Sequence, residues 1–317
     1  MPPLAVGIVL FSTILHAGWN LVAKQRSDSW ATFLQILFTI SVPAVLIAAW
    51  AELFMRGILP LVWPYLLGAS CSQAVYFLGL TLGYRAGDLG VVYPVTRALP
   101  VLFLGGFDLV RNLSPSVMGW LGLALVAAGC LVISWAGSPR RAGEAGARRP
   151  RMLHATLGWA VVGAAGTVGY TAFDKLAAEA LLRVYGGGLI DAVQYGLWEF
   201  VLTTVLYAPL LVVAMRASAR RRAGAKSGAP TSWRSWRTFF GDWRIAAVGF
   251  SMFAAYSLVL WAYQLSERAS YVVALRQFSI VLGVVAAAML MRERAPGVRI
   301  GAAVVIVTGI ALVSVAP

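Results

Sequence analysis

Ten apolar stretches of span length run through the chain, each bounded by charge or by a Pro/Gly break. They read Leu4–Ala23, Ser29–Trp50, Leu61–Tyr84, Leu89–Val110, Pro115–Ala136, His154–Ala177, Leu189–Met215, Ile245–Leu265, Ser270–Met291 and Gly297–Pro317. A bilayer core is crossed by ~20 mostly apolar residues. Ten crossings therefore need about 200 residues, which a chain of 317 holds with short loops. Backbone in hydrocarbon must satisfy its own hydrogen bonds, so these stretches are predicted helices. A β-barrel would instead show alternating segments of about ten residues, and none appear. The predicted fold class is an all-α integral membrane protein with ten transmembrane helices.

Composition agrees. The set AVILMFWYC makes up 60% of the chain and charged residues only 12%, about half the usual soluble share. That excludes a soluble enzyme and a disordered chain, and leaves no room for a sizeable extramembrane domain. The net charge is nevertheless +14, from 26 Lys+Arg against 12 Asp+Glu. A basic balance can mark nucleic-acid binding, but here the positions of the charges point elsewhere. Nineteen of the 26 lie in odd-numbered loops or at their edges, five in even-numbered loops or at their edges, and two, Arg97 and Arg276, deep inside spans. Cytoplasmic loops collect Lys and Arg, so the odd loops are predicted cytoplasmic and both termini outward. The expected location is a bacterial inner (plasma) membrane. Lys24 follows the first apolar run, the reverse of a secretory signal. Cys71 and Cys130 fall inside spans and read as small core residues, not a disulfide or a metal site.

The chain also repeats itself. One offset lays Gly18, Trp19 and Lys24 over Gly169, Tyr170 and Lys175. A second pairs Tyr84 with Tyr263, Asp88 with Glu267, Arg97 with Arg276 and Gly122 with Gly301. The difference between the offsets falls mostly in the long basic loop near 216–244. Residues 1–136 thus form a first five-helix half, 137–153 a basic cytoplasmic linker, and 154–317 a second half. An odd number of spans per half inverts the second copy, and inverted repeats in transporters hold the substrate near the midplane at their interface.

The motifs carry a resemblance. His16-Ala17-Gly18-Trp19-Asn20 with Lys24, Val92-Tyr93-Pro94-Val95-Thr96-Arg97, Tyr170 through Asp174-Lys175, Ala269-Ser270, Val273-Ala274-Leu275-Arg276-Gln277 and Arg292-Glu293-Arg294 resemble the EamA-type group of the drug/metabolite transporter superfamily in its ten-helix form. The resemblance spans essentially the whole chain. It implies two inverted five-helix repeats around a central cavity, lined by spans one, three, four and their mates, and alternating access for a small metabolite or drug. Many relatives of this kind look like exporters, which makes export the expected direction, although no residue here excludes import. The family's usual Glu at the end of span four is missing, and Asp108, the nearest acid, is assigned no role.

Ionisable groups inside a span are functional candidates by default. Glu199, about ten residues into span seven, reads either as a proton-coupling carboxyl or as a structural partner for an intramembrane Arg. Arg97 and Arg276 offer the donor fork that suits carboxylate or phosphate; their other reading is the capping of carbonyls freed by breaks such as Pro94 and Pro100. His16 and Asn20 share a helical face with Trp19 beside them, and His16 is either a proton shuttle or an interhelical contact. Tyr93 and Tyr170 adjoin polar groups and are cavity candidates, as is Gln277. Trp50, Tyr84 and Tyr263 fit an interfacial belt. Glycines such as Gly119 with Gly122, and Gly163 with Gly166 and Gly169, read as close-packing sites. Trp233, Trp236, Phe240 and Trp243, interleaved with Arg234 and Arg237, predict a short amphipathic helix on an anionic leaflet.

No metal-ligand spacing appears, and no cofactor is expected. The expected partners are a small-molecule substrate, the bilayer and protons as coupling ion, without nucleic acid. The oligomeric state is left open, since ten spans enclose a site without a partner. Two other classes compete with a gradient-driven secondary transporter: an integral-membrane enzyme and a flippase of lipid-linked substrates. An enzyme would want clustered carboxylates or His at a membrane face. The chain has two His and scattered acids, and is read as a non-enzyme.

Overall fold

The computed structural model describes the backbone of residues 1–24, 32–86, 89–137, 149–223, 243–290 and 297–317. Among these residues there are helices and no strand. In chain order they are α1 (Pro3–Lys24), α2 (Thr32–Phe54), α3 (Leu59–Ala86), α4 (Leu89–Val110), α5 (Val117–Gly137), α6 (Arg149–Tyr185), α7 (Leu189–Ala223), α8 (Trp243–Leu265), α9 (Ala269–Arg276), α10 (Phe278–Leu290) and α11 (Gly297–Val315).

Each apolar stretch falls on one helix except the ninth, which falls on two. α6 starts inside the basic segment 137–153 and continues past Ala177 to Tyr185, and α7 runs past Met215 to Ala223. Hydropathy marks where hydrocarbon stops; the helical ladder continues beyond it through Ala, Leu and Arg, all strong helix formers. Of the predicted amphipathic helix, Trp233, Trp236 and Phe240 lie outside the described residues. Trp243 opens α8 instead and stands 73% exposed, with Arg244 6.0 Å above its ring.

By length and composition α2, α3, α7, α8, the α9–α10 pair and α11 can each cross a membrane. The described side chains of α1 and α5, Pro3–Gly18 and Val117–Ile133, are apolar as well. In α6 the apolar character is diluted by Gly158, Gly163, Gly166 and Gly169 and interrupted by Asp174 and Lys175. Leu53, Phe54, Phe103, Val213 and Phe250 each stand more than 60% exposed on the outside of the bundle. Soluble monomers do not display apolar surface on this scale. The chain is an all-α integral membrane protein.

Two glycine-mediated crossings set the packing. On α3 and α6, an added Cβ at Gly79 would lie 2.6 Å from the Gly163 nitrogen, and one at Gly166 2.6 Å from the Tyr76 nitrogen. On α5 and α11, Gly122 and Gly309 face each other's carbonyl oxygens, at 2.8 and 2.7 Å from their would-be Cβ positions. Without side chains the backbones come close enough for dispersion contacts, which drive helix association where lipid removes the hydrophobic incentive. Around these pairs α1 packs on α8, α2 on α7 and on α8, α3 on α7, and α4 on α5, α6 and α9. Gly186, Gly187 and Gly188, at φ of +80°, +67° and +136°, turn α6 into α7 through a region that side chains avoid.

Two expectations about single residues are corrected. Cys71 is exposed rather than in the core, because α3 gives one face to α6 through Gly79 and the opposite face to α7 through Ser70 and Gln73, and Cys71 falls on the flank between them. Tyr263 is fully buried rather than interfacial, because α8 ends at an inward-facing corner. Gly166→Val is expected to destabilise the protein by about 1–3 kcal/mol through overpacking. It should melt earlier in detergent than the wild type, and an unchanged melting curve would contradict the close crossing.

Candidate functional site

The site begins at the break between α9 and α10. Neither Gly nor Pro marks it. Gln277 has φ −68° and ψ −11°, and its N–H reaches the carbonyls of Ala274 and Leu275 in a tightened last turn. Its side-chain amide donates to the Val273 carbonyl at 2.9 Å, and Ser279 Oγ donates to the Arg276 carbonyl at 2.9 Å. Carbonyls freed at the break are thus taken up by neighbouring side chains. The carbonyl-capping alternative for Arg276 finds no support here. Gln277 Oε1 is left buried without a hydrogen-bond partner.

Arg276 ends α9 beside a small cavity shared with Arg97 of α4, Tyr170 and Thr167 of α6, and Gln277. The space holds about one water molecule. Among the described residues Arg276 has no carboxylate within 4 Å; its guanidinium sits 6.0 Å from the Tyr256 ring centroid. Arg97 Nη2 donates to His16 Nε2 at 2.5 Å. A guanidinium has no lone pair to offer, so the ring nitrogen is the acceptor and this His16 is neutral. The structure therefore joins His16, Arg97, Tyr170, Arg276 and Gln277. The side chains of Trp19, Asn20 and Tyr93 lie outside the described residues. Trp198 is only partly buried, and its indole N–H has no partner among them.

Glu199 lies off this cavity, fully buried on α7. It is not alone there. Asp174, also fully buried, stands beside it, because α6 continues well past Asp174 and sets it inside the bundle. Tyr256 of α8 bridges the two: its hydroxyl lies 3.0 Å from Glu199 Oε1 and in very short contact with Asp174 Oδ2. Tyr195 donates to Asp174 Oδ1 at 3.3 Å. Glu199 Oε2 is buried with no partner. Tyr76, Tyr170 and Tyr256 meet edge to face at 5.7 and 6.1 Å, so one aromatic row links the cavity to the acids.

Four of the five basic residues of the even-numbered loops are tied down at one end of the bundle, while the fifth, Arg183, is exposed. Arg111 Nη2 reaches both oxygens of Glu179 at 2.7 and 2.6 Å, and Lys175 pairs with the same carboxylate at 3.0 Å. Lys175, only 2% exposed, also donates to the carbonyls of Tyr263 and Ser266 at the end of α8. Asp108 accepts the backbone N–H groups of Ala269 at 3.1 Å and Ser270 at 2.9 Å. Arg56 pairs with Asp191 at 3.4 Å, and Arg268 Nε donates to the Leu113 carbonyl at 3.1 Å. Asp108, left without a role by the sequence, is thus a cap for α9, where a carboxylate at a helix N-terminus is favourable. Its partners lie 161 and 162 residues away, and no local signal indicates them.

No protein-family model matches the chain, and no curated protein matches it. Among solved structures 26 chains match. One of them, described only as the crystal structure of a protein, aligns over 97% of this chain and 95% of its own length, with a TM-score of 0.63 at 15% identity. The likeness concerns the fold alone, and it extends over the whole bundle rather than one half.

Glu179→Gln removes the only carboxylate within 4 Å of Lys175 and Arg111 among the described residues. Stranding a buried cation in this way is expected to cost about 3 kcal/mol. The variant should melt well below wild type in detergent; a shift no larger than that of an exposed surface substitution would contradict these pairings.

Proposed function

We propose that the chain is a gradient-driven secondary transporter of the EamA type, with ten spans arranged as two inverted five-helix repeats, moving a small anionic or zwitterionic metabolite by alternating access. The observation that carries the reading is the break at Gln277. Transporters bind substrate near the midplane, where a discontinuous helix meets the repeat interface. Arg276 and the unpartnered Gln277 Oε1 face the cavity at such a break.

The helix contacts support the repeat. Under exchange of α1 with α6, α2 with α7, α3 with α8, α4 with the α9–α10 pair and α5 with α11, the main packing pairs map onto one another, α6 on α8 being the exception among the described residues. α1 on α8 answers α6 on α3; α8 on α2 answers α3 on α7; α4 on α6 answers α9 and α10 on α1. The pairs α2–α7, α4–α9 and α5–α11 each map onto themselves. The N-terminal ammonium donates to the Ser314 carbonyl at 3.2 Å, so the two termini meet at one end, as an even number of crossings requires. Few basic residues and many ion pairs mark the end read as outward-facing, and transport requires those pairs to open.

Recognition follows from charge. Two guanidiniums beside a cavity in low dielectric favour a carboxylate or phosphate group. Tyr170 supplies a flat apolar wall, and Gln277 Oε1 is an acceptor for a substrate N–H or O–H. Export, which the resemblance implies, remains the direction assigned, and a bacterial inner membrane the location. Purified protein in liposomes loaded with a panel of amino acids, organic acids and phosphorylated metabolites is expected to show flux for at least one anionic member. Arg276→Ala should reduce that flux at least tenfold while melting near the wild type. No flux for any member under any ion gradient would overturn the reading.

A further inference from the structure

We propose that Asp174, Tyr256 and Glu199 hold a single exchangeable proton between them, and that this shared proton is the coupling ion of the transporter. The second half of that statement rests on the transport reading; the first rests on donor arithmetic. The Tyr256 hydroxyl has one hydrogen and two carboxylate neighbours, Glu199 Oε1 at 3.0 Å and Asp174 Oδ2 in closer contact. One O–H cannot donate to both. Either Glu199 carries a proton and donates to Tyr256 while Tyr256 donates to Asp174, or the reverse holds. Both carboxyls ionised would set two like charges against one hydroxyl where neither is exposed to solvent, an arrangement in which acids titrate as a pair and not singly.

The surroundings fit one proton and not two. Facing the pair are Tyr195 from α7, Tyr170 from α6, Tyr263 from α8 and Arg276 from α9. Lys175 points away, onto Glu179 and the end of α8. Beside Glu199, α2 and α3 bring Ser41, Ser70 and Gln73 to α7; the charged groups at that interface, Glu52 and Arg56, sit nearer the start of α7, on Gln194 and Asp191. Arg276 is thus the one cation facing the pair among the described residues, and it matches one remaining negative charge. Glu199 Oε2 is buried and has no partner among the described residues, so nothing but Tyr256 competes for the proton this carboxyl carries.

The relay balances without any other reactant. As the Glu199 O–H bond breaks, its proton forms a bond to Tyr256 Oη. The original Tyr256 proton passes to Asp174 Oδ2. Tyr256 stays neutral, one proton has moved, and the negative charge has moved from Asp174 to Glu199. The transfer needs no electron and no water. Because Arg276 lies over the same tyrosine ring at 6.0 Å and ends the broken helix at the cavity, an anion drawn to Arg276 alters the field that holds the proton.

Infrared spectroscopy of the full chain in lipid tests this without a substrate. Wild type at neutral pH is expected to show one protonated-carboxyl C=O band that shifts in D2O and vanishes on alkaline titration. Asp174→Asn with Glu199→Gln should lack it. Tyr256→Phe keeps both acids and should move the band, since its hydrogen bond is lost; that single variant keeps the test valid if the double variant fails to fold. A wild-type spectrum with no such band, a band unmoved in all variants, or one displaced by Na+ at constant pH would overturn the shared proton. Loss of the band leaves transport standing. Absence of flux with the band present removes only the coupling role.

Discussion

A guanidinium inside hydrocarbon must be offered negative potential, and every route to that is constrained here. Arg276 has no carboxylate in contact among the described residues. It draws instead on the carbonyl end of α9, where a cation is favourable, and on the face of Tyr256. Both follow from the break at Gln277: a helix that ran on would have no free end there. The break in turn needs Gln277 and Ser279 to satisfy the freed carbonyls. It also needs Asp108 and Lys175 to hold the α8–α9 corner from the other side. One buried charge thus organises four helices.

The same economy explains the two polar clusters. The cavity gathers the donors Arg97 and Arg276, whereas Glu199 and Asp174 lie behind the Tyr170–Tyr256 row. Direct ion pairing of these Args with these acids would satisfy both and leave nothing for a ligand. The tyrosines keep them apart yet within each other's field. Such a site is polarised but not neutralised.

Much of this was legible in the chain. Hydropathy and punctuation locate the helices, because hydrocarbon thickness sets their length. The repeat offset singles out Arg97 and Arg276, and rarity singles out Glu199. Three features were not legible. The break at Gln277 carries no Gly or Pro, since it is stabilised by side chains rather than by backbone freedom. Asp174 lies near the end of its hydropathy stretch, and only the extension of α6 to Tyr185 sets it deep. Tyr256 lies 57 and 82 residues from its two acids, and a tyrosine in an aromatic-rich span has nothing to distinguish it. The polar groups are readable from their rarity; their partners are set by tertiary packing and are not.

The central claim is that the cavity beside Arg276 opens in turn to each side of the membrane. Thr167 lines it, nearly buried, and a cysteine there is close in size. The decisive measurement is the labelling of Thr167→Cys, with Cys71 and Cys130 replaced by serine, by a small membrane-impermeant thiol reagent added to right-side-out and to inside-out vesicles. Alternating access gives labelling from both faces. Labelling from one face alone, or from neither, would contradict the account.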